Sequence, residues 1–371
     1  MSWHIQLSSN TGSRSFDYDI NLPSNKIIGL VGPSGSGKTT LLRSIAGLNP
    51  VKPGNVSLGN CTFQSSNTFV PVRERNLGFV FQGNNLFPHK SVKHNLAFAL
   101  EHSAGRPIIL TPEEILESLG INEWLDRKPG QLSGGQQQLV ALARSLISQP
   151  SALLLDEAFN GMDVTKKACA IQLIKNYHRA NNNSVIFVTH HLNELMQLAD
   201  EVLAVDGGKK VFAGSIQEFP EHFAQTSIFA NAQVALLNAN FVKQEEKYGL
   251  WQLAVDEQPL WIPADNHSTA SQAQQDQHRV LIDAHSVSIS KEAITDFSIL
   301  NNLAVTITNI EPLGANQQLL HLQLKKQTIK AIITNKSCEH LALEKHMPVY
   351  AHIKSVALAS DYQWQTDHYD D

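Results

Sequence analysis

The sequence predicts an α/β phosphate-loop fold with a helical subdomain over residues 1–230, followed by a small all-β barrel domain over 231–371. Three observations carry that expectation. An apolar run, Ile27-Ile28-Gly29-Leu30-Val31, leads into a glycine-rich loop and then into a stretch of helical periodicity. Two further apolar runs, 152–155 and 184–188, end in polar groups, as buried parallel strands do at the sheet edge that carries chemistry. Beyond 230 the long helical patterns stop and short alternating runs take over.

The loop is Gly32-Pro33-Ser34-Gly35-Ser36-Gly37-Lys38-Thr39, which fits Gly, four residues, then Gly-Lys-Ser/Thr. Its glycines let the backbone turn several N–H groups toward one anion, and the following helix N-terminus adds partial positive charge. Lys38 is expected to reach the β- and γ-phosphates of a nucleotide, and Thr39 to place its hydroxyl on Mg²⁺. A chance glycine-rich turn is the alternative, and the strand before and helix after argue against it.

Size and composition bound the rest. The chain has 371 residues, a formal charge of −5 and a pI near 6.3, so no basic footprint points to nucleic acid. Cys61, Cys169 and Cys338 are far apart and suit a reducing cytoplasm. No stretch reaches the apolar length of a membrane helix, and the N-terminus lacks a signal-peptide pattern, so any membrane role is expected through a partner.

In chain order, residues 1–31 read as strands, with a polar, turn-like stretch at Ser8–Ser15. Phe16 or Tyr18 could stack on adenine or simply pack in the core. Asn55–Phe63, Phe69–Val72 and Leu77–Phe81 look like short strands, the last running into Gln82, which can ligate Mg²⁺ and sense a γ-phosphate. Residues 83–130 change character, and with the helix after Leu132 they outline a helical subdomain of about 83–145. Thr111-Pro112-Glu113-Glu114 is a helix start. Ala152–Leu155 ends in Asp156, expected to hold Mg²⁺ through water, and Glu157, expected to orient or deprotonate the attacking water. Lys166–Arg179 is helical, and Ser184–Thr189 is a strand ending in His190, placed to hydrogen-bond the γ-phosphate. A hairpin follows about Asp206-Gly207-Gly208, and Ala270–Gln277 is a Gln-rich loop. Val305 and Ile307, then Leu320, Leu322 and Leu324, alternate with polar neighbours as barrel strands do.

The phosphate loop, Gln82, Leu132-Ser133-Gly134-Gly135-Gln136, Leu155-Asp156-Glu157, Asp163 and His190 occur in an order that resembles the ATPase subunit of ABC transporters. The resemblance implies ATP and Mg²⁺ as ligands. It assigns nucleotide contacts to Gly32–Thr39, Thr40, Ser133, Gly134, Gly135, Gln136 and Asp163, metal contacts to Thr39, Gln82 and Asp156, and catalysis to Glu157, His190 and Gln82. Ser133–Gly135 would face the γ-phosphate held by a second subunit. That implies a head-to-tail homodimer bound to integral membrane permease subunits at the cytoplasmic face of the inner membrane.

Within that family the chain looks like the ATP-binding subunit of a molybdate importer, working with a periplasmic or extracellular molybdate-binding protein. Ser298-Ile299-Leu300-Asn301, Ile310–Gly314 and Met347–Val356 resemble the OB-like Mop/TOBE barrel of those subunits, over about 296–360, where molybdate itself could bind. Leu86-Phe87-Pro88-His89 resembles the segment that receives the permease. Several positions depart from the pattern. Ala158 replaces the usual Pro, Asn160-Gly161-Met162-Asp163 replaces Ser-x-Leu-Asp, and Leu139 and Leu300 each stand where an Arg is usual. Ser298 and Lys354 remain as donors, either for an oxyanion or as barrel surface. Rival readings are an importer for sulfate, tungstate or a polyamine, a soluble ABC ATPase, and a non-enzymatic oxyanion sensor.

Overall fold

The apolar runs ending at Val31, Asp156 and Val188 are buried along their whole length, which requires a sheet covered on both faces. They are found so in the computed structural model, which describes residues 2–11, 14–83, 85–103, 105–225, 229, 232–264, 277–294, 296, 298–354 and 357–358. The chain divides into two units, Met1–Ala230 and Asn231–Asp371.

The first unit opens on a hairpin of β1 (Ser2–Thr11) and β2 (Arg14–Pro23), paired out to Thr11 and Arg14. Ser8–Thr11 and Arg14-Ser15 therefore belong to the paired strands rather than to a broad turn, and Gly12 and Ser13 lie outside the described residues. Main-chain pairing at an exposed end needs no apolar side chains. Next come β3 (Ile27–Val31), the glycine-rich loop and α1 (Lys38–Ala46). β4 (Gly54–Leu58) and β5 (Cys61–Gln64) are two strands folded about Gly59-Asn60, not one run. Phe69–Val72 is not a strand either. Phe69 makes a single bridge to Gln64, and Val72–Glu74 is a 3-10 turn, since Pro71 has no N–H to extend a ladder.

β6 (Leu77–Val80) precedes the helical part, α2 (Val92–Glu101), α3 (Pro112–Leu119) and α4 (Gly134–Ile147). α3 starts where its cap dictates. Thr111 accepts from Glu114 N, Glu114 accepts from Thr111 N at 2.7 Å, and Gly120 ends the helix in the left-handed region. β7 (Ala152–Asp156), α5 (Val164–Asn181), β8 (Ser184–Val188), α6 (Leu192–Leu198) and the hairpin β9 (Glu201–Asp206) to β10 (Lys209–Ser215) complete the unit.

The large sheet has the order β10-β9-β3-β8-β7-β6, parallel except for β10. This order decides the site. The segments after β3, β8, β7 and β6 carry the glycine-rich loop, His190, Asp156-Glu157 and Gln82, and all leave neighbouring strands at their carboxyl ends. The smaller antiparallel sheet, β2-β1-β4-β5, shares a core with β3, β7 and β8 through Trp3, Ile5, Ile20 and Val56.

The second unit is antiparallel throughout. β11 (Val234–Glu245), β12 (Leu250–Val255), β13 (Gln258–Pro263) and β14 (Gln277–Asp283) are followed by β15 (Val287–Ser290), β16 (Asn301–Leu313), β17 (Gln317–Gln323) and β18 (Thr328–Thr334). After the short α7 (Asn335–His340) come β19 (Pro348–Ile353) and β20 (Ala357–Leu358). The sheets run β13-β12-β11-β14-β20 and β15-β19-β16-β17-β18, and one apolar core joins them. Leu303, Val305 and Ile307 of β16, with Leu320 and Leu322 of β17, point into it. Residues 270–276 and Ser355-Val356 lie outside the described residues.

Candidate active site

The glycine-rich loop leaves β3 and closes on α1. Gly37 caps α1 at φ 100°, and a β-carbon there would sit 2.7 Å from the Tyr18 hydroxyl, so both backbone conformation and space call for glycine. Tyr18 is buried beneath the loop, and its hydroxyl donates to Ser36 O at 3.1 Å. Burial pushes its phenol up to about 12. Its neighbour Phe16, half-buried, stacks on it with ring centroids 5.4 Å apart. Of the two aromatic candidates, Tyr18 thus packs against the loop.

Lys38 Nζ donates to Gly32 O at 2.7 Å and Pro33 O at 2.8 Å. Burial pulls its ammonium below the ordinary lysine value, while Glu157 and Asp156 pull the other way. Ser34 and Gly35 are exposed at the loop tip, and Thr40 lends its carbonyl to Ser44 Oγ one turn on.

Asp156, the last residue of β7, is fully buried. Its Oδ1 accepts from Thr39 Oγ1 at 3.0 Å, and its Oδ2 has no partner among the described residues. Burial raises this carboxyl above its ordinary value, against the Thr39 hydrogen bond. Glu157 follows with φ 51°, a left-handed conformation unusual for a residue with a β-carbon, and its N–H donates to Val188 O at 3.2 Å. That turn swings its carboxylate into the neighbouring loops. Oε2 accepts from Gln82 Nε2 and from Asn160 Nδ2, each at 2.8 Å, and Oε1 lies 2.8 Å from His190 Nε2.

The structure thus brings Thr39, Asp156, Glu157, Gln82 and His190 together beside the loop. Ser133 and Gln136 instead close a cap on each other at the start of α4. Ser133 Oγ accepts from Gln136 N at 3.3 Å, and Gln136 Oε1 accepts from Ser133 N at 2.9 Å. Ser133 and Gly134 are exposed, whereas Gly135 is buried against the Gly161 carbonyl. Asp163 caps α5, accepting from Lys166 N at 2.9 Å and from Lys166 Nζ at 2.6 Å. Those bonds hold its carboxyl below the ordinary value.

Sequence reasoning missed three supports. Gln138 Nε2 donates to Phe81 O at 3.0 Å, tying α4 to the residue before Gln82. Thr189 Oγ1 donates to buried Glu194 at 2.5 Å, and Lys167 Nζ meets the same carboxylate at 2.6 Å, which braces the segment carrying His190. Asn160 is the third. The first two follow no local pattern, whereas Asn160 lies three residues from Glu157 and is marked by its departure from the family's Ser. Two other departures fill space: Leu139 and Ala158 are buried, at 0% and 1% exposed.

In the second unit, Ser298 and Lys354 are exposed and Leu300 is 62% exposed. Asn301 is structural. Its Oδ1 accepts from Trp261 N at 2.6 Å and its Nδ2 donates to Trp261 O at 2.9 Å, a clamp on β13.

Residues 16–160 match the family model of ABC transporters, and residues 298–359 match that of the TOBE domain. The molybdenum import ATP-binding protein ModC of Saccharophagus degradans is 34% identical over 341 residues, covering 92% of this chain and 93% of that one. The chain belongs to the ABC transporter ATP-binding subunits of molybdate-importer type. The protein of the same name from Rhodopseudomonas palustris is 33% identical over 354 residues, covering 94% of each chain. That of Aromatoleum aromaticum is 34% identical over 346 residues, covering 92% of this chain and 90% of that one. A solved dimeric ATP-binding cassette, in a post-hydrolysis state bound to ADP and Pi, aligns at 26% identity with a TM-score of 0.50. It covers 58% of this chain and 98% of its own. This family member therefore carries an ABC ATPase domain followed by a TOBE domain with an OB-like barrel.

Proposed function

We propose that this chain is the ATP-hydrolysing subunit of an ABC importer, coupling ATP binding and hydrolysis to molybdate uptake across the cytoplasmic membrane. One observation carries the enzymatic part. The Glu157 carboxylate is held between Gln82 and His190, next to the Thr39–Asp156 pair and the phosphate loop. The names borne by relatives that align over nearly the whole chain support the substrate.

ATP would lie on the loop and the α1 N-terminus, with Lys38 leaving the carbonyls of Gly32 and Pro33 for the phosphates. The residues present fit Mg²⁺. The orphaned Oδ2 of Asp156, the Thr39 hydroxyl and the Gln82 carbonyl are hard oxygen donors of the kind it takes. When bound, Mg²⁺ neutralises charge on the phosphates. Glu157 accepts a proton from the attacking water, and His190 turns its imidazole to the γ-phosphate. Ser133 and Gly134, exposed at a helix N-terminus, suit the γ-phosphate of a second copy. Two copies closing on two ATP would move permease subunits docked about Leu86–His89, and hydrolysis would release them. Among the described residues no helix is long and apolar enough to cross a membrane, in keeping with a peripheral place through the permease.

The test is reconstitution in liposomes with the permease and binding protein, following ATP cleavage and anion uptake. Molybdate should stimulate both. The Glu157→Gln protein should bind ATP and dimerise, with turnover down by about 10²-fold or more. Stimulation by sulfate or a polyamine alone would overturn the substrate. Brisk cleavage by Glu157→Gln would overturn the assignment of Glu157.

A further inference from the structure

Glu157 stands in a left-handed backbone conformation that local preference does not hold, so its side chain depends on neighbours for orientation. Three donors surround it. Gln82 and His190 are the two that the proposed reaction needs elsewhere, one at Mg²⁺ and the other at the γ-phosphate. Asn160 has no such second task. Its Nδ2 donates to Oε2 at 2.8 Å, and its N–H donates to Glu157 O at 3.3 Å, closing a turn on the residue it holds. The next residue seats that turn. The Gly161 carbonyl lies so close to Gly135 that a β-carbon on Gly135 would fall 2.3 Å from it. A chain of contacts thus runs from the start of α4 through Gly161 and Asn160 to the carboxylate.

We infer that Asn160 is a positioning residue for Glu157, keeping a hydrogen bond to Oε2 while Gln82 and His190 turn to the nucleotide. This inference rests on the reading of Glu157 as the group that activates water. With Oε2 held, Oε1 is the oxygen presented to the water. The residue type matters. A serine Oγ lies one bond nearer the backbone than Nδ2, so a serine in this turn would fall short of Oε2. An aspartate has the same shape as asparagine but offers no donor, and it brings a like charge to the carboxylate.

The test uses the full chain and steady-state ATP cleavage by Asn160→Ala, Asn160→Asp and Glu157→Gln proteins, with thermal melting to confirm folding. Asn160 is exposed and glutamine keeps the shape of Glu157, so all three should fold. Asn160→Ala should lower kcat by about tenfold with KM for MgATP within about twofold, the loss of one charge-assisted hydrogen bond to a reacting group. Asn160→Asp should lower kcat further. A role confined to the shape of the turn predicts the reverse order, because aspartate supports turns as asparagine does and alanine does not. Asn160→Asp cleaving as fast as or faster than Asn160→Ala, or KM rising with kcat unchanged, would overturn the inference. A Glu157→Gln protein without turnover beside an Asn160→Ala protein of wild-type kcat would reject Asn160 alone. Turnover in Glu157→Gln would reject the underlying reading as well.

Discussion

Gly135→Ala is a sharp probe of packing at the site, because its neighbour Gly134 serves as an internal control for melting. A β-carbon on Gly135 would lie 2.3 Å from the Gly161 carbonyl oxygen and 3.2 Å from Met162 Cα. Both are backbone atoms and cannot swing aside as a side chain would. Ordinary C···O contact begins near 3.3 Å, so the 160–162 turn must retreat by about 1 Å. Overpacking of this kind costs about 1–3 kcal/mol, or a drop of roughly 2–12 °C in Tm for a domain of this size. The turn carries Asn160 with it, and about 1 Å of misplacement at a reacting group costs on the order of 10²-fold in rate. A β-carbon on Gly134 meets nothing within 4 Å. Alanine's better helix propensity acts at both positions and is worth at most about 1 kcal/mol, so the gap in Tm between the two variants isolates the clash. Differential scanning calorimetry and saturating-ATP turnover measure the two effects. If Gly135→Ala melts with Gly134→Ala and turns over within about threefold of wild type, the steric reasoning is refuted.

Two further outcomes follow from buried charge. Burial raises the Asp156 carboxyl in the folded chain, so this group favours folding below the ordinary carboxylate range, and the benefit is lost as pH rises through the raised value. Without Mg²⁺, Asp156→Asn should therefore melt higher than wild type at neutral pH, the gap closing as pH falls toward about 4, while ATP cleavage is lost. A lower Tm at every pH would contradict this. Arg75 is 1% exposed and meets no carboxylate among the described residues. Its guanidinium donates to Val70 O at 2.9 Å, Ile45 O at 2.7 Å and Phe63 O at 3.3 Å, and lies over the rings of Phe63 and Phe69. Arg75→Ala strands three acceptors and should cost about 3–5 kcal/mol in urea unfolding. A loss below about 1 kcal/mol would show that water replaces the guanidinium.

The fold classes of the two halves were readable because their patterns are local. The run Ile27–Val31, the glycine-rich loop and the helix after it are contiguous, and each is set by neighbours in the chain. Buried strands such as Ser184–Val188 declare themselves by unbroken apolar character, and β16 and β17 by alternation. Polar segments misled for the matching reason. Ser8 to Ser15 has the composition of a turn, yet hairpin pairing there is a main-chain matter. Phe69–Val72 has the composition of a strand, yet Pro71 and the stacking of Phe69 on Arg75 take it out of the ladder.

The sequence by itself determined which chemical groups this protein owns and the order in which they come. A loop able to surround an anion, a carboxylate pair after one apolar run and a His after another are all written in consecutive residues. Only the tertiary structure decided that β8 lies between β3 and β7, which sets His190 against Glu157. It alone joined Gly161 to Gly135 and Arg75 to three carbonyls. Such contacts join side chains and backbone across loops and between strands, and their partners are chosen by strand order and packing, which no window of neighbouring residues contains.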